Sequence, residues 1–286
     1  MRIRPCAVLV SACVLALSLA GVASASSTAP VRPKAAFLTS AVKQQLQANG
    51  AQGVKVGEEA LNTECPGVQN PGVSAGGCIV APYGCTANFI FTDGTSKYVG
   101  TARHCTDSVG QEVTMQLDTT TIGVAGTVAK MTSGEGVPGN DWALIKIDPA
   151  VAAKWGVNPA MPVIGGPQGI YTGCDPTPVF HYGHGYGVAV AQGKVEGGLA
   201  TNLYDDGYGW TGAGAPGDSG SGVLTAPGGP AIGDFTHLIV DLGAYPGSDL
   251  AGTRITKMLS QFGVSLVNAD GSTTGAAATS CGKAPS

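Results

Sequence analysis

From residue 79 onward, the hydrophobic positions form short runs separated by turn residues. The runs at 88–91 and 98–102 flank Asp93-Gly94, a common signal for a tight turn between antiparallel strands. Further runs lie at 113–117, 121–129, 142–147, 178–182, 187–195, 199–204, 222–224 and 237–242. The pattern predicts an all-β fold whose antiparallel strands form a sandwich or barrel.

Two segments outside this pattern are predicted to be helical. Residues 35–49 carry leucine or valine at intervals of four and end at Asn49-Gly50, which predicts a helix there. Residues 255–262 have hydrophobic side chains at helical spacing before Gly263, which predicts a short C-terminal helix. Residues 266–286 are rich in small and polar residues and are predicted to be a flexible tail.

The N-terminus has the features of a secretory signal peptide. Arg2 and Arg4 precede an apolar run at 7–20, and Ala-Ser-Ala at 23–25 provides a cleavage site. We therefore expect residues 1–25 to be removed and the protein to be secreted into the extracellular space. The remaining predicted units are an extension or pro-region (26–77), a first β-barrel (78–150), and a linker with a second β-barrel and the C-terminal helix (151–265).

Composition and charge exclude some classes of partner. The 286 residues are 43% apolar and 12% charged, with 45 glycines, which is typical of a globular protein with many turns. The formal net charge is −4, and the predicted signal removes two arginines and no acid. Because no basic patch remains, we expect no binding to nucleic acid or, after signal removal, to membranes.

Cysteine usage predicts disulfide bonds. The cysteines outside the signal are Cys65, Cys78, Cys85, Cys105, Cys174 and Cys281. An even number in an exported chain favours disulfides, although the spacing leaves the pairing open. No Cys-x-x-Cys pair is present, so no metal site is predicted, and we expect no cofactor.

The sequence Gly-Asp-Ser-Gly-Ser-Gly at 217–222 is the strongest candidate for chemistry. We interpret Ser219 as a nucleophile, with the backbone amides of Gly217 and Ser219 as donors to the oxyanion of an acyl-transfer intermediate. The same residue types also form ordinary turns, so the interpretation requires a base elsewhere in the chain.

His104 is the predicted base, at the end of the run 98–102 and next to Cys105. An imidazole titrates at about pH 6.5, so it can accept and return a proton near neutrality. Asp141, at the start of the run 142–147, is predicted to orient the imidazole. Asp148 is the alternative, but it precedes Pro149 and is interpreted as a turn residue.

Three motifs together resemble a known family. Thr-Ala-Arg-His-Cys at 101–105, Asp-Trp-Ala-Leu-Ile at 141–145 and the serine motif at 217–222 are similar to the signatures of chymotrypsin-like serine peptidases of the secreted bacterial type. They occur in that family's His, Asp, Ser order, and the resemblance covers about residues 79–262. It implies two packed six-stranded antiparallel β-barrels, with the triad and the substrate at their interface.

The resemblance also implies a disulfide pairing. Cys85 and Cys105 match the family's disulfide beside the histidine. With that pair set, we expect Cys65 to bond Cys78 and Cys174 to bond Cys281.

The resemblance implies a specificity pocket as well. Ala213 matches the residue at the bottom of the pocket, and Leu242-Gly243 matches its wall, with Leu250 near it. Since residue 213 carries no carboxylate, we expect a small or medium apolar side chain before the scissile bond. A shifted register that supplies an acid from Asp241 or Asp249 is the alternative.

The chain departs from the family pattern in two places that matter. No cysteine lies just before Gly217, and no basic residue precedes an activation motif whose new N-terminus would pair with Asp218. Which group neutralises a buried Asp218 is therefore open.

The remaining histidines and nearby aromatic residues have other interpretations. His181 and His184 are three apart on a predicted strand and point to opposite faces, so they are interpreted as structural or solvated histidines and not as a metal-binding pair. His237 is interpreted as a packed strand residue, with a substrate contact as the alternative. Tyr208 and Trp210 are expected to line the substrate cleft.

The sequence thus predicts a secreted serine endopeptidase that acts as a monomer on polypeptides through an acyl-enzyme. One alternative is a non-catalytic binding protein on the same scaffold. The other is an esterase that uses the same chemistry on a non-peptide substrate.

Overall fold

The computed structural model describes residues 35, 37–133, 136–185, 194–239 and 245–285. The predicted signal peptide, most of the run predicted at 187–195, and the predicted pocket residues Leu242 and Gly243 lie outside these residues.

Most of the regular structure is β. The strands are β1 (Val54–Lys55), β2 (Val73–Ser74), β3 (Cys78–Ala81), β4 (Cys85–Thr86), β5 (Ile90–Thr92), β6 (Lys97–Thr101), β7 (Glu112–Gln116), β8 (Thr121–Met131), β9 (Ala143–Ile147), β10 (Val157–Asn158), β11 (Thr177–Gly183), β12 (Lys194–Leu203), β13 (Gly207–Gly212), β14 (Gly222–Leu224), β15 (Ala231–Asp234), β16 (His237–Leu238), β17 (Leu250–Thr253), β18 (Ser265–Val267) and β19 (Thr273–Thr274). The helices are α1 (Ser40–Asn49), α2 (Glu58–Glu64), α3 (Pro149–Trp155) and α4 (Ile255–Phe262), with 3-10 turns at Gly50–Gln52 and Arg103–Cys105.

These strands form two antiparallel sheets. The first has the order β19-β18-β5-β6-β9-β8-β7-β3-β4, with β1 also paired to β8. The second has the order β15-β14-β11-β12-β13-β17-β16, and β2 and β10 form a separate parallel pair. The described residues thus form sheets of ten and seven strands, whereas two six-stranded barrels were expected from the sequence. The first sheet is larger because β1, β18 and β19, from outside the segment 78–150, pair onto it.

A shared hydrophobic cluster holds the two sheets together. Phe91 and Trp142 come from the first half, Tyr182 and Leu224 from the second, and Met258 from α4. Trp142 packs edge-on to Phe91, with ring centroids 5.7 Å apart. Because Trp142 directly follows Asp141, this packing fixes that end of β9 at the interface between the sheets.

The described part of the N-terminal segment contains the helix predicted at 35–49. α1 starts at Ser40 because the side chain of Thr39 accepts a hydrogen bond from the amide of Val42, and it ends at Gly50 with φ 51°. Leu46 of α1 is buried in one cluster with Ile122 of β8. The segment 26–77 therefore packs on the first sheet where it is described.

The C-terminal segment also packs on the body of the protein. α4 confirms the predicted C-terminal helix and ends at Gly263 in the left-handed conformation. Within 266–286, which is predicted to be a flexible tail, β19 pairs with β18, and β18 pairs with β5. Cys281 bonds Cys174, so the chain is tied down beyond these strands.

The structure contains the disulfides expected from the sequence, which are Cys65–Cys78, Cys85–Cys105 and Cys174–Cys281. No helix in the described residues is long and apolar enough to cross a membrane.

Candidate active site

His104 and Asp141 meet because their strands are neighbours. β6 ends at Thr101 just before the turn that carries His104, and Thr101 pairs with Ala143 near the start of β9. Nδ1 of His104 lies 2.6 Å from Oδ2 of Asp141, and the His104 amide donates to Oδ1 over 3.0 Å. Asp141 therefore holds both the ring and the backbone of His104.

The electrostatics of Asp141 favour its ionised form. Asp141 is fully buried, and burial by itself would raise the pKa of its carboxyl. The hydrogen bonds from His104 and the positive charge that His104 and His237 can carry outweigh this effect, so the pKa of Asp141 is lowered. An acceptor-only carboxylate requires the proton on Nδ1, which leaves Nε2 of His104 as the basic nitrogen.

Ser219 lies on a loop of the second half that contacts the first half. The carbonyl of Ser219 accepts a hydrogen bond from the amide of Thr86 over 2.9 Å. The same carbonyl lies 3.7 Å from Sγ of Cys105, the residue after His104. The backbone of Ser219 is thus fixed beside the His104 turn.

No hydrogen bond joins Ser219 Oγ to His104 Nε2 among the described residues. Nε2 of His104 is buried without a hydrogen-bond partner there, and Ser219 is 6% exposed. Nucleophile–base hydrogen bonds are often long without substrate and shorten in the reacting complex. The arrangement leaves a free basic nitrogen near the Ser219 loop.

The backbone around Ser219 leaves two amides available. The amides of Asp218, Gly220 and Ser221 donate to backbone carbonyls of the protein. Those of Gly217 and Ser219 have no acceptor among the described residues. Gly217 has φ 103°, a conformation that favours glycine and shapes this turn. These are the amides predicted to bind an oxyanion.

Asp218 is held by backbone amides. It is 3% exposed, Oδ1 accepts from the amide of Gly185 and Oδ2 from that of Ala215, each over 2.7 Å. His181 lies near it: burial lowers the pKa of this histidine, and the charge of Asp218 acts in the opposite direction. The two amides stabilise the Asp218 carboxylate in place of an N-terminal ammonium.

The predicted pocket residues are only partly described. Ala213 is exposed, and its carbonyl lies 3.3 Å from Nε2 of His181. The rings and methyl groups of Phe235 and Leu250 pack so closely on Gly214 that a Cβ there would be 3.0 and 3.1 Å from them. Hydrophobic side chains therefore fill the space next to Gly214, and Phe235 has no signal in the sequence that marks it for this position.

Asp241 and Asp249 are the acids that a shifted register would bring to the predicted pocket. Oδ2 of Asp249 accepts a hydrogen bond from the amide of Gly212 over 3.3 Å at the end of β13. Asp241 lies outside the described residues.

Two aromatic expectations are wrong. Tyr208 and Trp210 are fully buried and stack on each other with centroids 5.2 Å apart, so they belong to the core of the second sheet. Their inward positions on β13 follow from pairing with β12 and β17, which the local sequence does not reveal.

The other histidines are packed inside the protein. Both ring nitrogens of His184 lie 2.8 Å from backbone carbonyls, those of Pro66 and Gly76. His181 contacts Ser221, with 3.1 Å between Nδ1 and Oγ. His237 is buried on β16 as predicted, but its place beside Asp141 was missed, because only the tertiary fold brings residues 141 and 237 together.

One cluster of possible metal ligands occurs in the described residues, formed by Cys85, His104 and Cys105. The two sulfurs are bonded to each other, so they supply no thiolate for a metal ion.

No family model and no curated protein matches this sequence. Among solved structures, protease A of Thermobifida fusca is 22% identical with a TM-score of 0.49, over 69% of this chain and 99% of that one. A chymotrypsin of Cellulomonas bogoriensis is 19% identical with a TM-score of 0.47, over 68% of this chain and 98% of that one. A Nocardiopsis protease has the same identity and TM-score, over 68% of this chain and 99% of that one. The chain is thus similar to bacterial serine proteases.

Proposed function

We propose that the protein is a secreted serine endopeptidase that hydrolyses peptide bonds through an acyl-enzyme. The observation that carries the proposal is the pairing of His104 with buried Asp141, which leaves Nε2 of His104 unpaired beside the Ser219 loop. A buried basic nitrogen without a partner costs stability in a purely structural site, whereas a catalytic base requires it.

The proposed reaction uses these residues in sequence. Ser219 Oγ attacks the substrate carbonyl carbon as Nε2 of His104 takes its proton, and the amides of Gly217 and Ser219 bind the oxyanion. His104 then gives the proton to the leaving amine, and the acyl-enzyme forms. Water attacks the ester by the same route, which releases the acid and restores Ser219.

The proposed substrate is a polypeptide that lies across the interface of two β-barrels built from the two sheets. Phe235 and Leu250 fill the space beside Gly214, which supports a preference for a small or medium apolar side chain before the scissile bond. Two substrates whose side chains differ by one methylene group should differ in transition-state binding by about 1–3 kcal/mol in such a pocket.

Export of the protein and its action as a monomer belong to the same proposal. Disulfide bonds persist in oxidising compartments, and three are present here. The mechanism requires no metal or cofactor, because every proton and electron-pair transfer is assigned to a residue of the chain or to water.

A fluorophosphonate probe tests the proposal. We expect it to label the mature wild type and Ser260→Ala, a control that removes an exposed serine of α4, and to leave Ser219→Ala unlabelled. Labelling that persists in Ser219→Ala would overturn the assignment. A folded wild type that never reacts would instead favour the non-catalytic binding protein.

A further inference from the structure

A second histidine lies beside Asp141 and has no part in the proposed reaction. His237 on β16 is 2% exposed, and its Nδ1 is 3.8 Å from Oδ2 of Asp141. The same oxygen accepts the hydrogen bond from Nδ1 of His104. The two imidazole rings are 6.1 Å apart and inclined by 66°. One carboxylate oxygen therefore faces two imidazoles.

The carboxylate of Asp141 has few other polar neighbours. Among the described residues, both hydrogen bonds that it accepts come from His104, the residue it is meant to orient. Gly136 packs against it so closely that a Cβ would lie 2.5 Å from Oδ1. With its hydrogen bonds made only to the oriented group, the carboxylate needs a further polar contact to keep its own rotation defined.

His237 is itself held in place. Its Nδ1 lies 2.7 Å from Oγ1 of Thr236, and the backbone of Gly136 lies close to the ring. Burial lowers the pKa of His237, an effect that His104 reinforces and Asp141 opposes. His237 is therefore neutral near neutral pH and presents a fixed polar edge to Asp141.

We propose that His237 is a positioning residue, which holds the Asp141 carboxylate in the orientation that receives His104. The proposal deepens the proposed function and rests on it.

The arrangement has a consequence for the pH dependence of the reaction. Neutral His237 and His104 both face Oδ2, so the two imidazoles compete for the negative charge of the same carboxylate oxygen. Loss of the competing imidazole should therefore change the acid limb of the rate profile. The titratable groups that act on His237 are Asp141 and His104, while the charge of Asp141 also raises the pKa of Asp234.

Two substitutions separate positioning from packing. His237→Phe keeps the ring and removes its polar atoms, whereas His237→Asn keeps an amide group near the place of Nδ1. For His237→Phe we expect kcat to fall about tenfold or more, or about 1.4 kcal/mol in the barrier, with KM changed less than about twofold. The acid limb of kcat/KM should move to higher pH. His237→Asn should recover most of kcat. Its acid limb should lie between those of the wild type and His237→Phe.

The control is Ile122→Ala, which removes a buried side chain of the first sheet in another hydrophobic cluster. It should lower the unfolding midpoint and leave the acid limb unmoved. Active sites are counted by probe titration, so that unfolded protein does not enter kcat. The proposal is overturned if His237→Phe keeps the wild-type kcat and acid limb, or if Ile122→Ala moves the limb equally.

A readout without turnover distinguishes this proposal from the proposed function. The low-field proton NMR signal of His104 Nδ1–H reports the hydrogen bond to Asp141. We expect the signal to shift in folded His237→Phe and to remain close to the wild-type position in Ile122→Ala. An unshifted NMR signal in His237→Phe overturns the positioning role. A folded wild type that does not react with the fluorophosphonate probe overturns the peptidase assignment instead.

Discussion

At the scale of single residues, two buried acids have pKa values that are shifted in opposite directions. Asp141 lies at the interface between the sheets, and Asp234 lies in the second sheet. Asp141 receives hydrogen bonds from His104, and its pKa is lowered. Asp234 accepts one hydrogen bond at Oδ1, from the amide of Thr253, while Oδ2 has no partner among the described residues. Burial, with the nearby charge of Asp141, raises the pKa of Asp234 well above its ordinary value. The surroundings of Asp141 therefore favour the anion, whereas burial favours the protonated form of Asp234.

This contrast predicts the effect of Asp234→Asn on stability. The pKa of Asp234 is higher in the folded state than in the unfolded state, where it is about 3.9. Its contribution to the free energy of unfolding is therefore fully present below a pH of about 3.9 and is lost as the pH rises through the folded-state pKa. We expect Asp234→Asn to unfold with a free energy similar to the wild type at pH 4. At pH 8 it should be more stable by about 1–3 kcal/mol. Urea unfolding at both pH values measures this, and a variant less stable than the wild type at pH 8 would contradict it.

At the scale of elements, the loop between β13 and β14 joins the two halves of the site. Gly220 has φ 90°, and a Cβ there would lie 2.2 Å from Oγ1 of Thr101 and 2.4 Å from the carbonyl of Thr86. Only a residue without Cβ allows the Ser219 loop to approach β4 and β6 so closely. The glycine therefore determines where the serine sits relative to His104.

Gly220→Ala should consequently damage both stability and activity. The left-handed conformation and the clash together should cost about 2–5 kcal/mol, and probe labelling should slow because the loop withdraws from His104. Gly228→Ala is the matched control, since its φ is 64° and its nearest neighbouring atom would be 3.8 Å away. Thermal unfolding and labelling rates measure both effects. Equal losses in the two variants would show that conformation alone, without the contact, explains them.

At the scale of the whole molecule, the disulfides close loops of very different length. Cys174–Cys281 spans 107 residues and ties the C-terminal segment to the second half, while Cys65–Cys78 spans 13. A longer loop restricts the unfolded chain more, so its disulfide stabilises the folded state more in the chain-entropy model.

The two disulfides should therefore differ in their effect on unfolding. Replacing both Cys174 and Cys281 by serine should cost about 4–5 kcal/mol, against about 3 kcal/mol for the Cys65 and Cys78 pair. Urea unfolding without reductant compares them. The reverse order would mean that local packing around α2, and not loop length, governs the N-terminal disulfide.

The sequence alone determined the local features of this protein. Alternating and short hydrophobic runs predict strands, Gly263 ends the C-terminal helix, and the three motifs single out His104, Asp141 and Ser219. These signals are local because they arise from side-chain direction, backbone conformation and residue chemistry over a few positions. The tertiary structure decided the rest: the pairing of β1 and β18 with the first sheet, Phe235 against Gly214, and His237 beside Asp141. Each of these depends on contacts between residues far apart in the chain, which form only when strands pair and side chains pack in the complete fold.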